Sequence, residues 1–230
     1  VLLWSQDVKV SGLEEHPRFV EGMGVGKQEV RAEGWHVGGV LRGIAVEAGL
    51  YKESKNQTVQ VHDGPIELNE KMFAGLAIEQ YLVRRIPSIS GTVWQPGESV
   101  IEGWEKGSGE GCSVYMNPDG WSPEVRWEGV GKWRGKSVAV LEEFKCTWKS
   151  SKREVRDEWM WLHQCGVYSV GMGTRWNRLW VFHVNGGYEK GVVGETVLRC
   201  HWIEWEEWEL ERMWEMVRKW VGGRKYGGET

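Results

Sequence analysis

"CHWIEWEEWELERMWEMVRKWVGG", Cys200 to Gly223, carries five tryptophans among six glutamates. Read as one helix at about 100° per residue, it gathers Ile203, Leu210, Met213, Trp214, Val217, Trp220 and Val221 into one arc. Trp202, Trp205, Trp208 and Met216 widen that arc well beyond a half turn, and Glu206 and Glu209 intrude on it. Glu204, Glu207, Glu211, Glu215 and Arg218 hold the opposite side. A helix laid on a sheet needs an apolar stripe of only ~100°. One arc is therefore expected to serve the core. The other edge, Trp202, Trp205 and Trp208 with Glu209 and Arg212, is expected to meet another protein chain, because tryptophan is enriched at interface hot spots. The competing reading packs every tryptophan on a broad sheet.

Working back from that helix, the sequence period changes to two after Gly111. "SVYM" precedes the turn sequence "NPDG" (Asn117–Gly120). "SVAVLEEFKCTW" places Val138, Val140, Phe144, Cys146 and Trp148 on one face. "WMWLHQCGVYSV" and "LWVFHV" read as two further strands, "NGG" (Asn185–Gly187) as a hairpin turn, and "ETVLRCHW" as the lead into the last helix. The expected class is α+β: a C-terminal antiparallel sheet covered by a long Trp-rich helix, with a Gly-rich mixed N-terminal region.

The N-terminal region is glycine-punctuated. Gly12, Gly22, Gly24, Gly26, Gly34, Gly38, Gly39 and Gly43 are expected to break any long helix. Short strands are expected at Val8–Val10 and Thr58–His62. One helix is expected near 70–85, capped by Asn69, with a stripe of Met72, Phe73, Leu76, Tyr81 and Leu82 and with Pro87 beyond its end. Only Trp4 and Trp35 precede Trp94, while fifteen of the seventeen tryptophans lie from Trp94 to Trp220. That shift suggests a division into 1–93 and 94–230, or one continuous domain.

With 230 residues, 27% charged and 40% apolar, the chain has the composition of a globular protein, and no run of 18 apolar residues occurs. Val1 in place of Met suggests a start inside a longer chain or a processed leader. Four cysteines are too few for a disulfide scaffold, so reduced thiols and an intracellular setting are expected over disulfides and glycosylation at Asn56.

Chemical motifs are weak. "EGMGVGKQEV" (Glu21–Val30) lacks the first glycine of a phosphate loop and has Gln28 where Ser or Thr is needed. "KGSGEG" (Lys106–Gly111) lacks the leading glycine of a nucleophile elbow. His163 and Cys165, two apart on an expected strand, would share a face, but no close loop pair suits structural zinc. A cysteine-dependent hydrolase would draw on Cys112 or Cys165, with His36 or His62 as base and Asp63 as orienter. No catalytic residue, metal or cofactor is assigned on these grounds.

Charge is the last signal. Between Arg126 and Arg156 nine basic residues face four acids, +5 locally against −4 for the chain. Arg126, Trp127, Lys132, Trp133, Arg134, Lys149 and Arg153 form a basic-aromatic strip suited to nucleic acid. Docking of a protein partner is thus the first functional expectation, nucleic-acid binding the alternative, and a cysteine hydrolase the third.

Overall fold

A computed structural model describes residues 1–8, 35–51, 99–104, 111–116, 118–184, 186 and 195–224. The expected helix near 70–85, the strand Thr58–His62, the loop Glu21–Val30, most of "KGSGEG", and His62 and Asp63 lie outside them. The described elements run β1 (Leu2–Val8), β2 (Trp35–His36), α1 (Val37–Glu47), β3 (Ser99–Trp104), β4 (Gly111–Met116), β5 (Gly120–Arg126) and β6 (Ser137–Thr147). A short 3-10 turn at Val155–Asp157 leads to α2 (Trp159–Met172), β7 (Trp176–His183), β8 (Val197–Glu204) and α3 (Glu207–Gly222).

Five strands form one sheet in the order β1-β8-β7-β6-β5, and three form another in the order β2-β4-β3. The larger sheet is mostly antiparallel, but β6 and β7 are parallel. Parallel neighbours require a crossover, and α2 supplies it. "WMWLHQCGVYSV", expected as a strand, is that helix. Its fourteen residues are long for a strand, and its apolar positions run all the way round instead of alternating. Gly173, at φ 63°, ends it in the left-handed conformation a C-terminal cap needs.

The stretch that opened the sequence analysis divides in two. Cys200 to Glu204 is the end of β8, and the helix begins only at Glu207. Two glutamates set that start: Glu206 caps the helix while Glu209 reaches back to the Glu206 amide at 2.9 Å, a reciprocal capping box. Trp202 and Trp205 are therefore not helical. Trp202 packs on one face of the sheet and Trp205 on the other. On α3, Val217, Trp220 and Val221 are buried and Met213, Trp214 and Met216 pack beside them, as the helical arc predicted.

Both faces of the large sheet are apolar. One carries Trp127, Val138, Val140, Phe144, Trp180, Phe182, Leu198, Cys200 and Trp202, with Trp4, Trp133 and Trp176 alongside. The other packs against α2, with α3 beyond it. Two-sided burial makes tryptophans on successive strands productive, and edge-on pairs such as Trp127–Trp202 (5.0 Å) and Trp133–Trp176 (5.1 Å) fill the first face.

Glycine did not break α1, which contains Gly38, Gly39 and Gly43. A Cβ at Gly43 would overlap the Trp220 ring, so glycine here lets α1 and α3 approach closely. β7 and β8 pair antiparallel as "NGG" implied, but pairing starts at His183 and Val197, so the connection is long and not a two-residue turn.

Candidate functional site

Neighbouring residues of a strand point to opposite faces, and on β6 this separates Glu142 from Glu143. Glu142 is fully buried on the aromatic face, where three side chains donate to it. Arg178 forks onto it with Nε at 2.8 and 3.0 Å from its two oxygens, Trp180 Nε1 donates at 2.8 Å, and Ser122 Oγ at 2.9 Å. Arg178 lies between the Trp180 and Trp202 rings at 5.5 and 5.2 Å. The Glu142 carboxylate is thus fully engaged in a structural network.

Glu143 is different. It is 1% exposed on the helix-covered face, its Oε2 has no hydrogen-bond donor, and its other oxygen is paired with Lys145. Asp119, just ahead of β5, is brought alongside because Gly120 pairs with Glu142 and because the Phe144 amide donates to Asp119 Oδ2 at 2.6 Å. Two carboxylates and one ammonium thus share a corner in which Glu143 is buried and Asp119 and Lys145 are half-buried. Burial and then Asp119 push the Glu143 carboxyl up to about 8. Burial likewise raises Asp119, more than Lys145 and the Phe144 amide lower it. For Lys145, burial favours the neutral amine, but Glu143 and Asp119 outweigh it and keep the ammonium charged.

α2 closes the corner with Tyr168 and Cys165. Gln164 Nε2 donates to the Tyr168 hydroxyl at 2.9 Å, and burial followed by Glu143 raises that phenol well above its ordinary value. Lys145 and Asp119 remain partly exposed, so the corner is open to solvent on that side. It lies in the C-terminal half of β6, where β6 and β7 run parallel.

Among the described residues the cysteine alternatives are not brought together; His62 and Asp63 lie outside those residues. Burial raises the Cys165 thiol well above its usual range, with Glu143 adding to it, so no thiolate forms at neutral pH. His163 and Cys165 are on a helix, not a strand, and diverge by roughly 200°. His163 stacks on Trp159 instead, at 3.9 Å. His36 pairs with Tyr115, three positions along β4 from Cys112, roughly 10 Å away in strand rise. Cys146, Cys165 and Cys200 are free thiols.

The basic-aromatic strip does not form one patch. β6 separates its two parts by roughly 36 Å. Arg126, Lys132, Trp133 and Arg134 lie in and before the loop that enters β6. There Lys132 and Lys136 sit over Trp133 at 5.7 and 4.8 Å, while Trp127 is buried against Trp202. Lys149 and Arg153 follow β6, at the end nearer Asp119, Glu143 and Lys145. Both are held by Glu158, Arg153 at 3.6 Å, and Lys149 also covers Trp161 at 5.3 Å. Of the predicted docking residues, Trp202 and Trp205 are 2% exposed and Trp208 is 59% exposed. Arg212 is exposed, and Glu209 binds the Val1 ammonium at 2.6 Å besides capping its helix.

Asp119, Glu143 and Lys145 are not among the residues expected from the sequence, because "NPDG" reads as a turn and the charges of β6 count only toward the local balance. The available signal was the Glu-x-Lys spacing, which puts opposite charges on one strand face inside a largely apolar run.

No protein-family model matches this chain, and no curated protein matches it. Among solved structures it is similar to the crystal structure of SSO0001, at 11% identity and a TM-score of 0.47, over 84% of this chain and 79% of that one. A likeness at that level carries no functional argument.

Proposed function

We propose that this chain is a divalent-cation-dependent phosphodiester hydrolase acting on nucleic acid. The observation that carries this reading is the close carboxylate pair, Asp119 and Glu143, with Lys145 charged beside it. Glu143, buried, and Asp119, half-buried, repel each other and hold a proton in place of a cation. All-oxygen donors favour Mg2+ or Mn2+. Among the described residues no cluster of three or more His, Cys, Asp or Glu side chains occurs. That fits Mg2+, which commonly takes one or two carboxylates and completes its shell with water and substrate phosphate.

Asp119 and Glu143 would hold the ion, which when bound supplies Lewis-acid polarisation of a phosphoryl oxygen. Lys145, fixed by its ion pair with Glu143, presents positive charge where negative charge grows on the phosphate. Tyr168, neutral and anchored by Gln164, packs α2 against the corner and limits water. Lys149 and Arg153, on the same end of the sheet, suit an approaching polyanion.

The test is cleavage of a labelled single-stranded oligonucleotide with Mg2+ or Mn2+, alongside thermal unfolding with and without the ion. The parent should cleave and should melt higher with the ion. Asp119→Asn, Glu143→Gln and Lys145→Ala should each remove cleavage, and the first two should also remove the ion's thermal shift. No cleavage and no shift in the parent would sink the reading.

A second reading keeps a protein partner at α3, favoured by Trp208 standing exposed beside Arg212. Co-purification that survives high salt and is lost in Trp208→Ala supports it, since apolar docking resists salt and phosphate binding does not.

A further inference from the structure

A cavity of about 230 Å³ opens beside the sheet's edge strand, lined by Ser5, Asp7, Arg153, Glu154, Arg199 and His201 among others. Its place follows from strand register. Glu143 pairs with Leu179, Leu179 with His201, and His201 with Ser5. One row along, Lys145 pairs with Val181, Val181 with Arg199, and Arg199 with Asp7. Paired residues share a face, so the cavity and the Asp119–Glu143–Lys145 corner lie on the same side of the sheet. Lys145 and Arg199 are two strands apart, roughly 10 Å.

We propose that this cavity is a second phosphate subsite, holding the nucleic-acid backbone at a phosphate other than the one cleaved; it rests on the hydrolase reading above. Two guanidiniums reach it, and guanidinium is the side chain whose planar fork matches phosphate. Arg153 extends from the loop after β6 with its side chain 56% exposed. Arg199 is fixed by the Ser151 carbonyl and by Asp7. Ser5 Oγ and His201 Nδ1 lie 2.6 Å apart. Whichever of them donates in that bond, one O–H or N–H of the pair is left for a ligand. His201 is not a general base here, because burial, then Arg199 and His183, hold its pKa near 3.

The two acids on the rim define the mechanism. Glu154 stands exposed beside Arg153 in sequence. Asp7 receives Arg199 Nε at 2.6 Å and a second N–H at 3.3 Å, with its own side chain 60% exposed. Asp7 thus occupies the fork that a phosphate would take, and it is free to swing into solvent when one arrives. It acts as a competitor for the subsite, which gives the subsite a signature of opposite signs.

The experiment is fluorescence anisotropy of a labelled single-stranded oligonucleotide in EDTA, titrated at several salt concentrations, with cleavage by the same proteins measured in Mg2+ or Mn2+. Arg153→Gln and Arg199→Gln should each weaken binding about ten-fold. Each should lower the slope of log affinity against log salt by about 0.7. Asp7→Asn should tighten binding a few-fold, and more than Glu154→Gln, which removes an equal charge from the same rim without freeing a guanidinium. Arg199→Gln also releases the Ser151 carbonyl, so Arg153→Gln, which gives up only a 3.6 Å contact to Glu158 and leaves Glu158 its Lys149 partner, guards against a folding defect. Binding unchanged in Arg153→Gln, or not tightened in Asp7→Asn, overturns the subsite while cleavage by the parent still stands. Absence of cleavage by the parent overturns the hydrolase reading instead.

Discussion

The amide of Phe144 donates a 2.6 Å hydrogen bond to Asp119 Oδ2. This bond ties the residue ahead of β5 to the one between Glu143 and Lys145, so an acid from a turn and an acid from a strand meet with a lysine. The position is costly, since a buried carboxylate without a counter-charge is strongly unfavourable. The fold bears that cost by keeping a proton on the pair, which has a measurable consequence.

Stability should depend on pH through Glu143. Its carboxyl ionises near 4.5 in the unfolded chain and near 8 in the folded one, raised by burial and by Asp119. Between those values the folded protein binds a proton that the unfolded chain has lost. Stability is therefore full below about 4.5 and falls as pH rises toward 8, by at most about 1.4 kcal/mol per pH unit. Glu143→Gln should flatten the curve and leave the variant more stable than the parent above pH 8. Melting temperatures from pH 5 to 9 check this, and a parent curve level across that window contradicts it.

The Glu142–Arg178 pair should behave as structure, not chemistry. Glu142→Ala leaves Arg178, 3% exposed, without its carboxylate, and breaking a buried pair from one side costs about 3–5 kcal/mol. Glu142→Gln, which keeps an acceptor for the Trp180 indole, should cost less. Denaturant unfolding ranks the two, and equal losses would mean that charge alone matters.

Gly43 and Gly166 should respond differently to alanine. At Gly43 the new methyl meets the Trp220 ring, and at Gly166 it meets Met213 Sδ. The ring is wedged between α1 and α3, whereas a thioether chain repacks readily. Gly43→Ala should cost about 1–3 kcal/mol through overpacking. Gly166→Ala should cost less, because helix propensity returns up to about 1 kcal/mol. The order of the two melting temperatures is the measurement, and its reversal would count against the packing account.

Trp205 and Trp208 should separate cleanly. Trp205 is buried and donates to Asn177 Oδ1 at 2.5 Å, an oxygen that also accepts from Ser169. Trp205→Ala should cost about 3–5 kcal/mol. Trp208→Ala should stay within about 0.5 kcal/mol. Comparable losses would place Trp208 in the core.

The sequence by itself determined the elements whose pattern is local. Alternation marked β6, the apolar run "LWVFHV" marked most of β7, and the spacing of Met213, Trp214, Val217, Trp220 and Val221 marked the buried side of α3. Tertiary structure decided the rest. Trp202 and Trp205 kept the helical spacing by coincidence, because a strand buried on both faces accepts tryptophan at any position. α2 is apolar all round, so no period distinguished it from a buried strand, and only the parallel placement of β6 and β7 demands a crossover helix there. Gly43 belongs in a helix because Trp220 arrives from the far end of the chain. Asp119, Glu143 and Lys145 are individually ordinary in sequence. What makes them a site is that β5 and β6 bring them together and α2 takes the water away, and desolvation is a property of the packed molecule that no single segment carries.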